Sequence, residues 1–546
     1  MKAWKGLTKR RLAVAGLLIA VCFAAAAAVE TASFVPNIFN PNESPFQEQT
    51  HFLVFTGSDT AGGNATTATA YYDAIDPTGS KRNFPEWLVK AGFISDVSQW
   101  HPSGPQMIAC DLPGCDYPRG TYGDNIINSD AHAIVLNAAD LGFVRNQFIR
   151  CVPSCTAPNP VIYTYLENYP VNPFANSATG GSGFPVKTGY PNDSEAKAAI
   201  ESALARPLFS LPGCTSADTK LGCKISRIAD VAFEWAPPPT NPASPARYGQ
   251  LYAFFFSDST VPPTETVAFP LAGGVTPNVA AGVLQPFRTG DPFPPDLDLL
   301  GNKQHPGNCF ICHGGNPRNL TSTGAYPKQG RVDGFRFLPL DIRNLLFTSD
   351  SGPESTSRLS QEPQIKLYNQ AVLKTVSSHL QTDEQGATRV AHLREVILGW
   401  YAGLPGDQTM SGPVQQDFIP VGWQESLGAP PGSEQLYKTV VGPSCRSCHF
   451  NRELSLDFGT VSNFDAYKKD ILELALAPLC QANNPPPGKR PMPLAHLTYQ
   501  RFWEANANTQ SLPSGEGGPL ILQDTAEQIA QHFGFTGTAA YCATVH

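Results

Sequence analysis

The sequence is poor in charge: Asp, Glu, Lys and Arg make up 15% of 546 residues, and the net charge is −8. No dense basic run follows Arg11, which argues against nucleic acid as a partner. Long apolar runs are also missing. Beyond Ala28 no stretch offers the roughly eighteen uninterrupted apolar residues of a membrane helix, so no stable membrane span is expected after the leader. Methionine is scarce, with four in the chain, so a methionine in a distinctive setting is not one of many interchangeable core residues. With 47 glycines and 51 prolines, the chain is expected to be loop-rich, with short elements rather than long helices. Hydrophobic residues reach 41%, enough for sizeable cores, which excludes global disorder.

Against this background, one pattern occurs twice: Cys309-Phe-Ile-Cys312-His313 and Cys445-Arg-Ser-Cys448-His449. Cys-x-x-Cys-His is the attachment signature of c-type haem. Two thiols must reach the two vinyl groups of one porphyrin, hence the two-residue gap. The adjacent His then reaches the iron from the same side. Two c-type haems are therefore expected, with Cys309, Cys312, Cys445 and Cys448 as attachment residues and His313 and His449 as proximal iron ligands. The rival is a redox or zinc Cys-x-x-Cys followed by an unrelated His.

The N-terminus has the three parts of a secretory signal over residues 1–28. Lys2, Lys5, Lys9, Arg10 and Arg11 precede an apolar Leu12 to Phe23, and small residues follow to Ala28. A periplasmic or secreted bacterial location is the expectation, where c-type attachment takes place. Setting aside Cys22 and the motif cysteines, Cys110, Cys115, Cys151, Cys155, Cys214, Cys223, Cys480 and Cys542 remain. An even set in an exported chain implies disulfides. Neighbour pairing predicts Cys110–Cys115, Cys151–Cys155, Cys214–Cys223 and Cys480–Cys542. A zinc site from the first four is the alternative.

The texture divides near residue 300, and the fold class is read as α+β. A β-rich domain is predicted over residues 29–300, followed by two mainly helical, cytochrome c-like haem domains over 301–425 and 426–546. His51 to Phe55, Ile162 to Leu166, Ile228 to Trp235 and Tyr248 to Ser257 read as strands, the last two paired. Phe84 to Gly92, Asp140 to Arg150 and Asp193 to Ala205 read as helices. In the second half, helical spacing predicts Gln361 to Leu380, Thr388 to Tyr401, Gly432 to Val441, Phe464 to Leu479 and Thr525 to Phe533. Leu436, Tyr437 and Val440 share one face there. Asp140, Glu167 and Glu234 are scattered acids read as structural or solvated.

For the second haem, Met492 is the predicted sixth ligand. Prolines on either side stiffen its loop, and a Met ligand raises the potential of a c haem. His496 is the rival. Arg501 is placed near a propionate. The first haem has no such partner. His132, His379, His392, Met410 or an open position remain as alternatives. An open position permits oxygen or peroxide chemistry, whereas six ligands favour pure electron transfer.

Several stretches resemble a family of exported bacterial di-haem c-type cytochromes of unsettled activity. They are Tyr71-Tyr-Asp-Ala-Ile-Asp-Pro77, Asn137-Ala-Ala-Asp-Leu-Gly-Phe143, the first motif with its following Gly314-Gly315, Phe337-Leu-Pro-Leu-Asp341, Met492-Pro493, Thr498 and Arg501-Phe-Trp503. The resemblance implies haem binding, electron transfer with redox partner proteins, and no defined substrate. This chain departs from it after Leu141-Gly142, where Phe143 to Phe148 holds no His or Met ligand. Two functional readings follow: an extracytoplasmic electron carrier, or a di-haem oxidoreductase similar to peroxidases or oxygenases, with the first haem catalytic. A structural module of a larger electron conduit fits less well, since two haems in a chain of this length are sparse.

Overall fold

Side-chain alternation decides the architecture of the first half. The computed structural model describes residues 71–81, 83–97, 121–122, 125–138, 143–169, 196–197, 200–201, 229–239, 241–257, 285–288, 309–313, 336–349, 356–377, 379–382, 385–386, 388–403, 410–450, 456–476, 498, 511–512, 520–521 and 525–545. Helices and one large sheet make up these residues, so the fold is mixed α and β. No described helix is long and apolar enough to cross a membrane.

The sheet is built from β1 (Ala131–Asn137), β2 (Val144–Val152), β3 (Val161–Tyr169), β4 (Ala229–Ala236), β5 (Tyr248–Ser257), β6 (Gln285–Arg288) and β7 (Leu345–Leu346). The order is β6-β5-β4-β3-β2-β1-β7, an antiparallel meander closed at one edge by a strand from the second half. The predicted pairing of the fourth and fifth strands is present, with Trp235 opposite Gly249.

Both faces of this sheet are covered, which follows from its alternation. Phe148 lies opposite Tyr165 and Tyr165 opposite Ala232, so these residues share a face. Helix α1 (Phe84–Ala91) packs there, with Phe84 and Trp87 against Tyr165 at 5.2 and 6.1 Å between ring centroids. Asn83 caps its start, and Gly92 ends it at φ 76°, a left-handed position where a side chain would strike Arg150. On the same face Glu234 forms an ion pair with Lys81 at 2.7 Å, a structural role for that acid. Phe233 and Ile149 point to the other face, toward the helices of the second half.

One helix prediction is overturned. Residues 144–152 form the strand β2, not a helix ending at Arg150. Val144, Asn146 and Phe148 face one way, Arg145, Gln147 and Ile149 the other. Polar groups on both faces find partners: Asn146 donates to Glu167. The polar residues mimic an amphipathic helix, but the true period is two. Asp140 and the predicted strand His51 to Phe55 lie outside the described residues, as does most of the segment Asp193 to Ala205.

In the second half, α2 (Phe310–His313) carries the first motif. Helix α3 (Arg358–Lys374) packs on β1, where Gln361 donates to Ile134 O at 2.8 Å and accepts from its N–H at 2.5 Å. This carboxamide acts as a one-residue extension of the sheet edge. The helix ends at Lys374, short of the predicted Leu380. Helix α4 (His392–Trp400) starts later than expected because Thr388–Arg389 pairs with Gln381–Thr382 as a short hairpin. Helix α5 (Ser433–Leu436) continues through a π-helical stretch, Tyr437–Cys445, into α6 (Arg446–His449). Leu436, Tyr437 and Val440 are buried together, as their shared face predicts. Helix α7 (Val461–Ala466) is followed by the short Lys468–Ile471 and Leu472–Leu476 turns rather than one continuous helix. Helices α8 (Thr525–His532) and α9 (Thr538–Val545) close the chain; α9 was not expected. Cys151 and Cys155 form the predicted disulfide, which removes their sulfurs from any zinc site. Cys542 is also disulfide-bonded, to a partner outside the described residues. Cys110, Cys115, Cys214, Cys223, Cys480, the leader, Met492, His496 and Arg501 lie outside the described residues too.

Candidate functional site

The two motifs, far apart in sequence, meet in space. Cys312 Sγ and Cys448 Sγ lie 3.1 Å apart across a sequence separation of 136 residues. Helices α2 and α6 pack against each other at this point. None of the four motif cysteines is joined in a disulfide, and all are half-buried. Burial, then the neighbouring Cys312 sulfur, pushes the Cys309 thiol well above its usual range. A nucleophilic redox pair needs the opposite shift. The Asp130, Cys151 and Cys155 group is the one cluster of at least three metal-ligating atoms found among the described residues. The motif residues are not gathered as a tetrahedral zinc site requires.

Each motif histidine is held the same way. His313 Nδ1 donates to Arg336 O at 3.0 Å, and His449 Nδ1 donates to Leu456 O at 2.7 Å. A carbonyl only accepts, so the proton sits on Nδ1 and the lone pair on Nε2. This is the outer-shell pattern that orients an imidazole for a metal. Each ring also lies against a phenylalanine. Phe233 of β4 meets His313 at 4.8 Å, and Phe458 stacks on His449 at 4.1 Å with 17° between planes. Burial lowers the His313 pKa to about 4, so its ring is neutral at pH 7.

One strap, residues 336–346, ties the motifs together. It starts at Arg336, whose N–H donates to His313 O at 2.9 Å while its own carbonyl takes the ring proton. Phe337 packs on Phe233. Asn369 of α3 pins Leu340 through both N–H and carbonyl, at 2.8 and 3.0 Å. Asp341 then accepts two hydrogen bonds from Arg446, the residue between the second motif's cysteines, at 2.7 and 2.6 Å. Asn344 reaches Gly442 O and Ser447 Oγ. Arg343 donates to Lys438 O at 2.6 Å. The strap ends as β7, hydrogen-bonded to β1.

Two features here have no sequence signal. Arg446 is fully buried, ringed by Trp400, Tyr437 and Phe450 within 6 Å of its guanidinium carbon. Its partner Asp341 is 105 residues away, and nothing in the sequence couples the two. Arg343 is 3% exposed, and its Nε and Nη1 make no hydrogen bond. Buried guanidinium N–H groups call for an acceptor, and a carboxylate is the best match.

No family model, curated protein or solved structure matches this chain.

The sixth-ligand candidates for the first motif sit in varied places. His392 is buried, with Nδ1 on Asp457 O at 2.6 Å and Nε2 on Tyr437 Oη at 2.9 Å. His132 lies within the sheet, its Nε2 hydrogen-bonded to Asn146 Oδ1 and its ring stacked on Phe148. His379 is exposed. Met410 is buried in the core that joins the sheet to α3 and α4.

Proposed function

We propose that this chain is an exported di-haem c-type cytochrome that carries electrons outside the cytoplasm. Cys309 and Cys312 would bind one haem with His313 as proximal ligand. Cys445 and Cys448 would bind the second with His449. In this reading the β-rich first half supports two mainly helical haem regions, and the partners are other one-electron carrier proteins. The observation that carries it is the repeated arrangement of two thiols, outside any disulfide, beside an imidazole whose Nδ1 is fixed on a carbonyl.

The residues fit such a group. A covalently held haem supplies a one-electron iron couple whose potential is set by its axial ligands. The chain's part is to hold and orient. Arg336 O and Leu456 O fix the imidazole tautomers. Phe233 and Phe458 fix the ring planes. Arg343 offers two buried donor nitrogens, Nε and Nη1, to a propionate carboxylate. Met492 is the proposed sixth ligand at the second site, and Met492→His should lower one midpoint potential by on the order of a hundred millivolts.

One observation favours the oxidoreductase reading for the first site. Both nitrogens of His392 and the Nε2 of His132 are already engaged within the fold. That leaves His379, Met410 or an open sixth position beside His313.

The test is covalent haem count with each cysteine pair replaced by alanine. The wild type should carry two haems, and each double variant one. A wild type with none overturns the reading. Added carbon monoxide then separates the two forms: a carbon monoxide adduct on the reduced protein supports the open first site, and two inert low-spin haems support the carrier.

A further inference from the structure

The contact between the motifs goes beyond two separate attachment sites. It joins the second cysteine of each, the residue that directly precedes each proximal histidine. Packing on either side agrees. Phe450, next to His449, belongs to the core that contains the sheet, α3 and α4. Cys312, from the first motif, packs instead on the core built around Trp423 and Tyr437. The first motif therefore spans both cores, with Cys309 on the first and Cys312 on the second, which also takes Cys445 of the second motif. The strap from Arg336 to Asn344 holds both from one side, and its residues 337, 341 and 344 are at most 5% exposed.

From this geometry we infer that Cys312 and Cys448 set the two haems rim to rim, as one redox-coupled pair. The inference rests on the di-haem reading above. A thioether sulfur would sit one former vinyl carbon away from its porphyrin edge, so sulfurs this close would bring the two edges together. Adding an electron at one site changes the charge felt at the other. The interaction runs through the half-buried contact between the motifs, where charges are screened less than at the open surface. Reduction of the first haem therefore makes reduction of the second harder. The strap adds a mechanical link, since a displaced Asp341 moves Arg446 while Arg336 holds His313.

The test is a spectroscopic redox titration of three proteins: the wild type, Cys309→Ala/Cys312→Ala and Cys445→Ala/Cys448→Ala. The titration of the wild type should not equal the sum of the two single-haem curves. The expected departure is about tenfold in one reduction equilibrium constant, roughly 59 mV for a one-electron couple. Curves that add within error overturn the inference. Because a variant can fail to mature, a second measurement uses the wild type alone. Its electron paramagnetic resonance spectrum is recorded fully oxidised and after half-reduction with dithionite. Spin interaction in the oxidised form, lost from the remaining signal at half-reduction, supports the pair. Two independent signals that fade without changing shape overturn it. Haem count keeps the outcomes apart: two haems with additive behaviour defeat the coupling alone, and fewer than two defeat the di-haem reading itself.

Discussion

The histidine of the first motif is held by a sheet and a strap, that of the second by its own neighbourhood. His313 takes its carbonyl partner from 23 residues downstream and its aromatic contact from a β-strand of the other half. His449 finds its carbonyl partner 7 residues on, and its stacking ring at Phe458 just beyond. Segment 456–460 is clamped in turn. Trp423 Nε1 donates to Phe458 O, while the Asp457 carboxylate accepts from Arg389, from His392 N–H and from Gly459 N–H. The motif histidine is thus set by distant chain pairing in one case and by a local loop in the other, while the strap reaches both motifs. Damage to the sheet should reach the first site, and damage to the 456–460 loop the second.

The strongest way to break this division is at the strap. Asp341→Ala leaves the Arg446 guanidinium buried without its counter-charge. The expected loss is about 3–5 kcal/mol of stability, with loss of haem from the second motif before the first. Chemical denaturation and haem count measure both. The double change Asp341→Leu with Arg446→Met should restore most of the stability, because a well-packed apolar pair replaces the ion pair. Equal loss of both haems in the single variant would show that the motifs are not held separately.

A finer probe is the ring beside each histidine. Phe233→Ala and Phe458→Ala each empty a buried site at a cost of about 3 kcal/mol or more. Each should alter the haem spectrum of its own motif only. Phe458 sits at φ 53°, a region costly for a bulky residue. Part of its loss should therefore be recovered in Phe458→Gly relative to the packing lost. A spectral change at the second site in Phe233→Ala would erase the contrast.

The smallest effect is the acid dependence. Burial is the main cause that lowers the His392 pKa to about 3 and the His132 pKa to about 4. The unfolded chain binds these protons more readily, with its histidines near the ordinary value of 6.5. The stability they contribute is complete above about pH 6.5. It falls as acid is added toward the folded values, because the unfolded chain takes up the protons first. His392→Gln should flatten part of that slope in thermal melts between pH 6.5 and 4. An unchanged slope would remove His392 from the account.

The legible parts of the molecule were those with local signals. Asn83, Gly92 and the apolar face of Phe84 to Ala91 spell out a capped helix. The run Tyr248 to Ser257 announces a strand, and Leu436, Tyr437 and Val440 announce a buried helix face. The motif spacing identified which cysteines would stay out of disulfides. What could not be read was contact across the chain. The strand over residues 144–152 hides behind Asn146 and Gln147, and Asn146 meets His132 and Glu167 only across the sheet. Arg446 looks like an exposed basic residue between two cysteines until Asp341 is placed beside it. Leu345–Leu346 is too short to be read as a strand without β1 as its partner. The meeting of Cys312 and Cys448 depends on all of these.

The most direct test of the central claim is the intact mass of the purified protein after full reduction of its disulfides. Two covalent haem adducts per chain are predicted, with one retained when Cys445 and Cys448 are replaced by alanine. A chain of unmodified mass, from cells that attach haem to c-type cytochromes, would contradict it.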